Sequence, residues 1–335
     1  MSVTNATGTT TASGELPWQT ELARAVRDPA ELLRCLELPP DLLDAAERGA
    51  RLFPLRVPRP YLGRIRPGDP HDPLLRQVLP LAAEARRLPG FTGDPLQEKA
   101  QCSGSGVLHK YAGRALVVAT GACAINCRYC FRRAFPYTDH AGWRPALEYL
   151  ERHGAPEEIV LSGGDPLLLD DTALAAFIRR LEQLNGVKRL RIHTRLPVVI
   201  PTRATPALTE LLGSSRLQNI LVLHINHPRE IDTKVVAALT RLRPACSALL
   251  NQAVLLRGVN ADVTTLAQLS EQLFAAGVLP YYLHLLDPVE GAAHFDVDEK
   301  TGRQLWSALH HRLPGYLVPR LAREEPGTAA KRIIA

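Results

Sequence analysis

Lysine is scarce in this chain. Only six occur, at positions 99, 110, 188, 234, 300 and 331, so nearly all of the 40 basic residues are arginines. No block of like charge accompanies the net charge of +6, which argues against a basic nucleic-acid-binding arm. No apolar run reaches the roughly 18 residues of a membrane-spanning helix. The first 15 residues, MSVTNATGTTTASGE, lack the apolar segment of a signal peptide and read as a disordered tail. A cytoplasmic protein is the expectation. Cysteine is also too sparse, six in 335 residues, for the dense disulfide framework of a small secreted domain.

What is present divides the chain. Residues 16–105 are rich in Leu, Arg and Pro, with helical spacing broken by proline-rich loops, and nothing in them suggests catalysis. From there to 314 the pattern changes. Strand-like β-branched runs fall at 115–120, 158–162, 189–194, 219–226, 248–256 and 279–286. Amphipathic stretches at 172–184, 206–212, Thr233–Leu242 and 264–276 lie between them. Alternation of this kind predicts an α/β fold with a parallel sheet and right-handed crossovers, a partial (βα)6 barrel. A short C-terminal segment, 315–335, completes the chain.

Each predicted strand is followed by its most polar residues: 121–130, 163–165, 193–195, 224–227, 257–262 and 287–290. Parallel barrels place their active sites at the C-terminal ends of their strands. Six segments therefore converge on one edge.

The segment after the first of these strands, GACAINCRYCFRR, carries Cys123, Cys127 and Cys130 in a C-x3-C-x2-C pattern. Thiolates suit soft metal centres. Three in one loop can hold three irons of a 4Fe–4S cubane and leave the fourth open. A structural zinc site closes with four ligands, and no fourth Cys or His stands at finger spacing. A zinc-bearing structural or nucleic-acid-binding protein is the competing reading from a different class. Cys35, Cys102 and Cys246 belong to no motif and read as core or surface residues.

The spacing and its place after a strand resemble the radical S-adenosylmethionine (SAM) superfamily. That resemblance implies that the open iron binds the methionine part of SAM and delivers one electron to it. The SGGDPL segment at 162–167 resembles the superfamily's glycine-rich SAM-binding turn, which would assign Ser162, Gly163, Gly164 and Asp165 to SAM, with Gln252 beside them. A narrower resemblance runs through almost the whole chain. HKYAGRAL, CRYCFRRAFPY, HTRLPVVIPTR, HINHPREI, LLNQAVLLRGVN and YYLHLLDPVEGAAHF are similar to lysine 2,3-aminomutases. Those enzymes also use pyridoxal 5'-phosphate (PLP), which needs a lysine for its Schiff base. Four of the six lysines lie in exposed-looking contexts, leaving Lys110 and Lys331. Lys331 follows GYLVP by twelve residues, as the family's PLP lysine does, although the family's glycine run is here GTAA.

The same resemblance implies that Arg114 holds the PLP phosphate and Tyr111 packs on its ring. Arg132 would clamp the substrate carboxylate; of Arg132 and Arg133 only one needs a role. A buried ammonium is costly unless paired, so Asp287 and Glu324 are implied as carboxylates for the substrate side chain, making L-lysine the substrate. The reaction implied moves the lysine amino group to the β-carbon through a deoxyadenosyl radical, with an electron donor of flavodoxin or ferredoxin type. The expected product is (R)-β-lysine, and a homo-oligomer is expected. The opening ELPWQTELARAVRDPAELL, the CRYCFRRAFPY wording and the position of Lys331 resemble the EpmB branch, which makes β-lysine for modification of translation elongation factor P. A stand-alone aminomutase feeding free β-lysine metabolism shares the same chemistry.

Overall fold

The computed structural model describes residues 17–102, 104–137, 142–328 and 330–335; the tail expected at 1–15 lies outside them. Nine strands form one sheet in sequential order. They are β1 Val107–Tyr111, β2 Arg114–Thr120, β3 Glu158–Gly163, β4 Arg189–Thr194, β5 Gln218–Leu223, β6 Ala248–Val254, β7 Leu279–His284, β8 Arg320–Arg323 and β9 Arg332–Ile333. Every neighbouring pair from β2 to β8 is parallel. The two edge pairs, β1 with β2 and β8 with β9, are antiparallel. The six strands expected from sequence are β2 to β7.

The crossover helices follow from their stripes. Asp171–Glu182 buries Leu174, Phe177, Ile178 and Leu181, and Thr233–Leu242 buries Val235, Ala238, Leu239 and Leu242. Both sets are positions that share one helical face. Each helix starts at an aspartate whose side chain accepts a backbone N–H: Asp170 from Ala173 at 2.7 Å and Asp232 from Val235 at 2.8 Å. Such caps satisfy donors that the first helical turn leaves free. Helices Pro206–Gly213 and Val263–Ala275 are the other two expected stretches, whereas Trp143–His153 and Glu299–Arg312 were not read from the sequence.

The linear strand order leaves β1 and β9 at the two edges, with no further strand beyond either among the described residues and only a single bridge from Cys102 to Leu108 on β1. Side chains bring the two edges together instead. Tyr111 of β1 donates its hydroxyl to Glu324, just past β8, at 3.0 Å, and Lys110 lies 3.3 Å from the same oxygen. The barrel is thus closed on one side by charge rather than by a ladder.

Residues before β1 share the barrel's core. Trp18, Leu32, Leu36, Tyr61, Leu74 and Leu75 belong to one buried cluster with Leu161, Ile192, Leu221 and Leu283. Full burial of a leucine side chain is worth about 1.5–3 kcal/mol, so this shared core holds the N-terminal region against the sheet and, as described next, against the cysteine loop.

Candidate active site

The cysteine loop leaves β2 at the C-terminal edge of the sheet, and the N-terminal region brackets it. Arg56 donates to the Cys123 carbonyl at 2.8 Å. Asn126 donates to the Pro54 carbonyl at 2.9 Å, and the Arg128 N–H donates to the Gln77 carbonyl at 2.9 Å. The three arginines of CRYCFRR all meet glutamates that precede β1. Arg128, fully buried, pairs with Glu84 at 2.5 Å; Arg133 reaches the same carboxylate at 2.7 Å. Arg132 grips Glu98 with Nε at 2.6 Å and Nη2 at 2.9 Å. Sequence reasoning saw no chemistry before residue 105, and Glu84 and Glu98 are what it missed there. Both Arg132 and Arg133 have partners, where only one of the pair was expected to matter.

The thiols themselves lie in a taxing setting. Burial and repulsion from Cys130, Asp165 and Cys127 push the Cys123 thiol well above its ordinary pKa. Burial and Cys127 raise Cys130 to about 11. Thiolates so placed need strong positive charge, which an iron cluster would supply. One cation is already present: Arg195 donates Nη1 to Cys127 Sγ at 2.7 Å and to the Tyr129 hydroxyl at 2.9 Å. Among the described residues no three His, Cys, Asp or Glu side chains form a site for a single metal ion. An apolar cover of Tyr129, Leu256, Val259, Leu286, Val289 and Phe295 packs over Cys127 and Phe131.

The SGGD turn after β3 presses on the first residues of this loop. The Gly164 N–H donates to Thr120 at 2.7 Å and the Asp165 N–H to Ala122 at 2.8 Å. A Cβ on Gly164 would lie 2.1 Å from the Ala122 carbonyl oxygen, and Gly163 has φ +113°. Only glycine fits either position. The Asp165 carboxylate is consumed by the chain itself. It accepts from Thr194 Oγ1 at 2.7 Å, Arg195 N at 2.8 Å and Leu167 N at 3.1 Å. It therefore fixes the turn, whereas the sequence had set it against a ligand. Ser162 accepts from Arg132 Nη1 at 2.9 Å.

Inside the barrel, His193 on β4, His224 after β5, Gln252 on β6 and His284 on β7 form a layer. Gln252 Nε2 lies 3.2 Å from His224 Nε2 and 3.5 Å from His193 Nδ1. Burial, reinforced by nearby cations, lowers His224 to about 3 and holds His193 and His284 well below the usual imidazole range. Each favours its neutral form, and among the described residues His193 Nε2 is buried without a hydrogen-bond partner.

At the seam, Lys331 Nζ lies 3.4 Å from Glu324 Oε2, 3.3 Å from His284 Nε2 and 5.0 Å from the centre of the Tyr282 ring. Lys110 bridges Glu98 at 2.7 Å and Glu324 at 3.3 Å. Charges thus alternate from Arg132 through Glu98, Lys110 and Glu324 to Lys331. Against the cost of burial, Lys331, Lys110 and the Tyr111 hydroxyl hold Glu324 at about 2. Asp287 differs. Burial and the Glu324 charge raise it to about 7, and no described residue pairs with its carboxylate. The lysine elimination left Lys110 and Lys331, and both sit here; Lys99, Lys188, Lys234 and Lys300 are exposed. Lys331 is pinned by the β8–β9 hairpin; nearby, the Leu321 carbonyl accepts from the Ile334 N–H at 2.8 Å and the Leu321 N–H donates to the Ala335 carbonyl at 2.9 Å.

The Radical SAM superfamily model matches residues 117–261. The chain is 47% identical over 325 residues to an L-lysine 2,3-aminomutase of Haemophilus influenzae, covering 96% of each protein. It is 50% identical to that of Escherichia coli, covering 94% of this chain and 93% of that one, and 31% identical to that of Clostridium subterminale, covering 94% and 76%. The chain belongs to the L-lysine 2,3-aminomutase family. It is an enzyme of isomerase type, and the family's cofactors are a 4Fe–4S cluster, SAM and PLP.

The residues present fit those aminomutase cofactors. Three soft donors in one loop leave a cubane one open iron. Arg114 lies 4.3 Å over the Tyr111 ring and has no ion pair among the described residues, so a cation is free for a phosphate. Lys331 is a half-buried amine flanked by a neutral imidazole. No helix among the described residues is long and apolar enough to cross a membrane.

Proposed function

We propose that this enzyme isomerises L-lysine to β-lysine, with (R)-β-lysine as product. Cys123, Cys127 and Cys130 would hold the cluster, Ser162, Gly163, Gly164 and Gln252 would line the SAM site, and Lys331, Arg114 and Tyr111 would hold PLP. Bound together, these groups supply a carbon radical able to remove hydrogen and a carbonyl able to carry a migrating nitrogen. The chain's own residues do the rest. The observation that carries the reading is an amine at Lys331, paired with Glu324, in the same charged seam as a carboxylate at Asp287 that no described residue pairs with.

Glu324 Oε2 and His284 Nε2 hold Lys331 Nζ in place; both are weak bases, so they orient the amine rather than keep the proton it must lose to act as a nucleophile. Asp287 then receives the substrate's side-chain ammonium, which favours its ionised form. Arg132, held by Glu98 and aimed beside Ser162, orients the substrate carboxylate as a planar bidentate donor does. The apolar cover over Cys127 excludes water from reactive species.

The electron comes from a donor of flavodoxin or ferredoxin type. The β-lysine goes to elongation factor P; the near full-length match to relatives of the same size, with the CRYCFRRAFPY wording, supports this over free β-lysine metabolism. An anaerobic assay with L-lysine, SAM, PLP and a reductant tests the activity. β-Lysine should form, and its absence with cluster and PLP both bound would overturn the proposal. A colourless protein carrying zinc would favour the structural alternative. Loss of the modified form of elongation factor P in cells lacking the enzyme tests the destination.

A further inference from the structure

Arg195 was not among the residues singled out as site residues, yet it is the side chain most tightly built into the cysteine loop's surroundings. It is buried, at 6% exposure. Nη1 donates to Cys127 Sγ at 2.7 Å and to Tyr129 at 2.9 Å. Nη2 donates to Gln77 Oε1 and to Glu230 Oε2, each at 2.8 Å. Its backbone N–H donates to Asp165. Glu230 is fully buried and is fixed in turn by the N–H groups of Asn226 at 3.0 Å and His227 at 3.1 Å and by Gln77 Nε2 at 3.2 Å. The guanidinium therefore cannot swing away from the sulfur. Its position, just past β4, is set by four elements: the N-terminal region, the cysteine loop, the SGGD turn and the turn after β5.

We infer that Arg195 is a positioning residue that sets the reduction potential of the iron–sulfur centre through Cys127 Sγ, with Glu230 moderating its charge. The inference rests on Cys127 being a cluster ligand, as proposed above. An N–H donor to a ligating sulfur withdraws electron density, and a nearby cation favours the more negative, reduced cluster. Both effects raise the potential. A carboxylate on the far side of the same guanidinium works in the opposite direction. Two residues of opposite sign on one line to one sulfur thus form a graded control, and a purely structural ion pair would have no reason to touch the thiol.

The test is an EPR-monitored redox titration of the anaerobically reconstituted full-length enzyme, with iron and sulfide counted for each variant. Arg195→Met should lower the midpoint potential, so that at a fixed potential the ratio of reduced to oxidised cluster falls by roughly tenfold for each 59 mV. Glu230→Gln should raise it, and Arg195→Lys should return part of the loss. Shifts of opposite sign support the inference, because general loosening of the site would move both variants the same way. Full cluster content with an unchanged midpoint in Arg195→Met and Glu230→Gln overturns it. If Arg195→Met fails to fold with its cluster, Glu230→Gln decides alone, and an unchanged midpoint there also overturns it. A parent enzyme that binds no 4Fe–4S cluster would instead overturn the proposed function on which the inference rests.

Discussion

The two ends of the site are built differently. The cysteine loop is held by backbone carbonyls and by buried ion pairs from distant parts of the chain: Arg56, Asn126, Arg128 with Glu84, and Arg195 with Glu230. The seam that carries Lys331 is held by a single row of side-chain charges across two strand edges that share no ladder. One end is a frame finished before any ligand arrives. The other is a set of ion pairs among groups that a substrate and a cofactor must also address. The chain spends rigidity where metal geometry demands it and leaves exchangeable partners where reactants come and go.

The comparison can be broken most decisively at Lys331. Lys331→Ala should abolish β-lysine formation, by a thousandfold or more on the scale typical of a lost covalent catalyst, while iron content stays unchanged. Loss of iron would show that the two ends are not independent. Next in size is Glu84→Ala, which strands the fully buried Arg128 guanidinium. A loss of about 3–5 kcal/mol in denaturant unfolding is expected, because this is the frame. Glu98→Gln probes the one carboxylate that touches both ends, through Arg132 and Lys110. Weakening charge-assisted bonds worth about 1.5–3 kcal/mol should cost roughly tenfold to a hundredfold in kcat/KM for L-lysine, with the cluster's EPR signal retained.

A subtler measurement addresses pH. Asp287 has its carboxyl raised from 3.8 to about 7, so the folded chain binds a proton that the unfolded chain has released. Its contribution to stability is present below about pH 4 and is lost as pH rises through about 7. Asp287→Asn, free of ligands, should melt above the parent at pH 8 and match it at low pH. L-lysine affinity of the parent should rise with pH through about 7, and the variant should be flat. The smallest effect belongs to a helix start far from the chemistry. Asp170→Ala should cost about 1 kcal/mol and leave turnover untouched.

Much of this was legible in the sequence. Six of the seven inner strands announced themselves, β2 and β3 as near-continuous apolar runs and β4 and β6 as alternation of buried and half-buried residues; β8, with four residues, was too short. The cysteine spacing and the loaded strand ends pointed to the C-terminal edge of the sheet, where the cysteine loop leaves β2. The edge strands were harder. β1 has five residues and a register shift, and β9 has two, too short for any period to show. Glu84, Glu98, Gln77 and Glu230 each stand alone in the sequence. Their charged or amide side-chain partners lie between 12 and 153 residues away, and spacing rules reach only a turn or two. Arg195 carried a signal, since it follows a strand within a polar triplet, but nothing local pointed it at a sulfur. Asp165 looked like a ligand contact because a buried aspartate after two glycines carries no mark of which donors will take it.

Gly164 has a consequence of its own. The Ala122 carbonyl oxygen lies where its first side-chain carbon would be. The glycine there does not serve as a hinge; it serves by being thin. Two lengths of main chain from different strands run at touching distance, and a single methyl group is a wedge between them. Wherever the SGGD turn goes, the loop bearing the three cysteines must follow. The machine has one moving part there, not two.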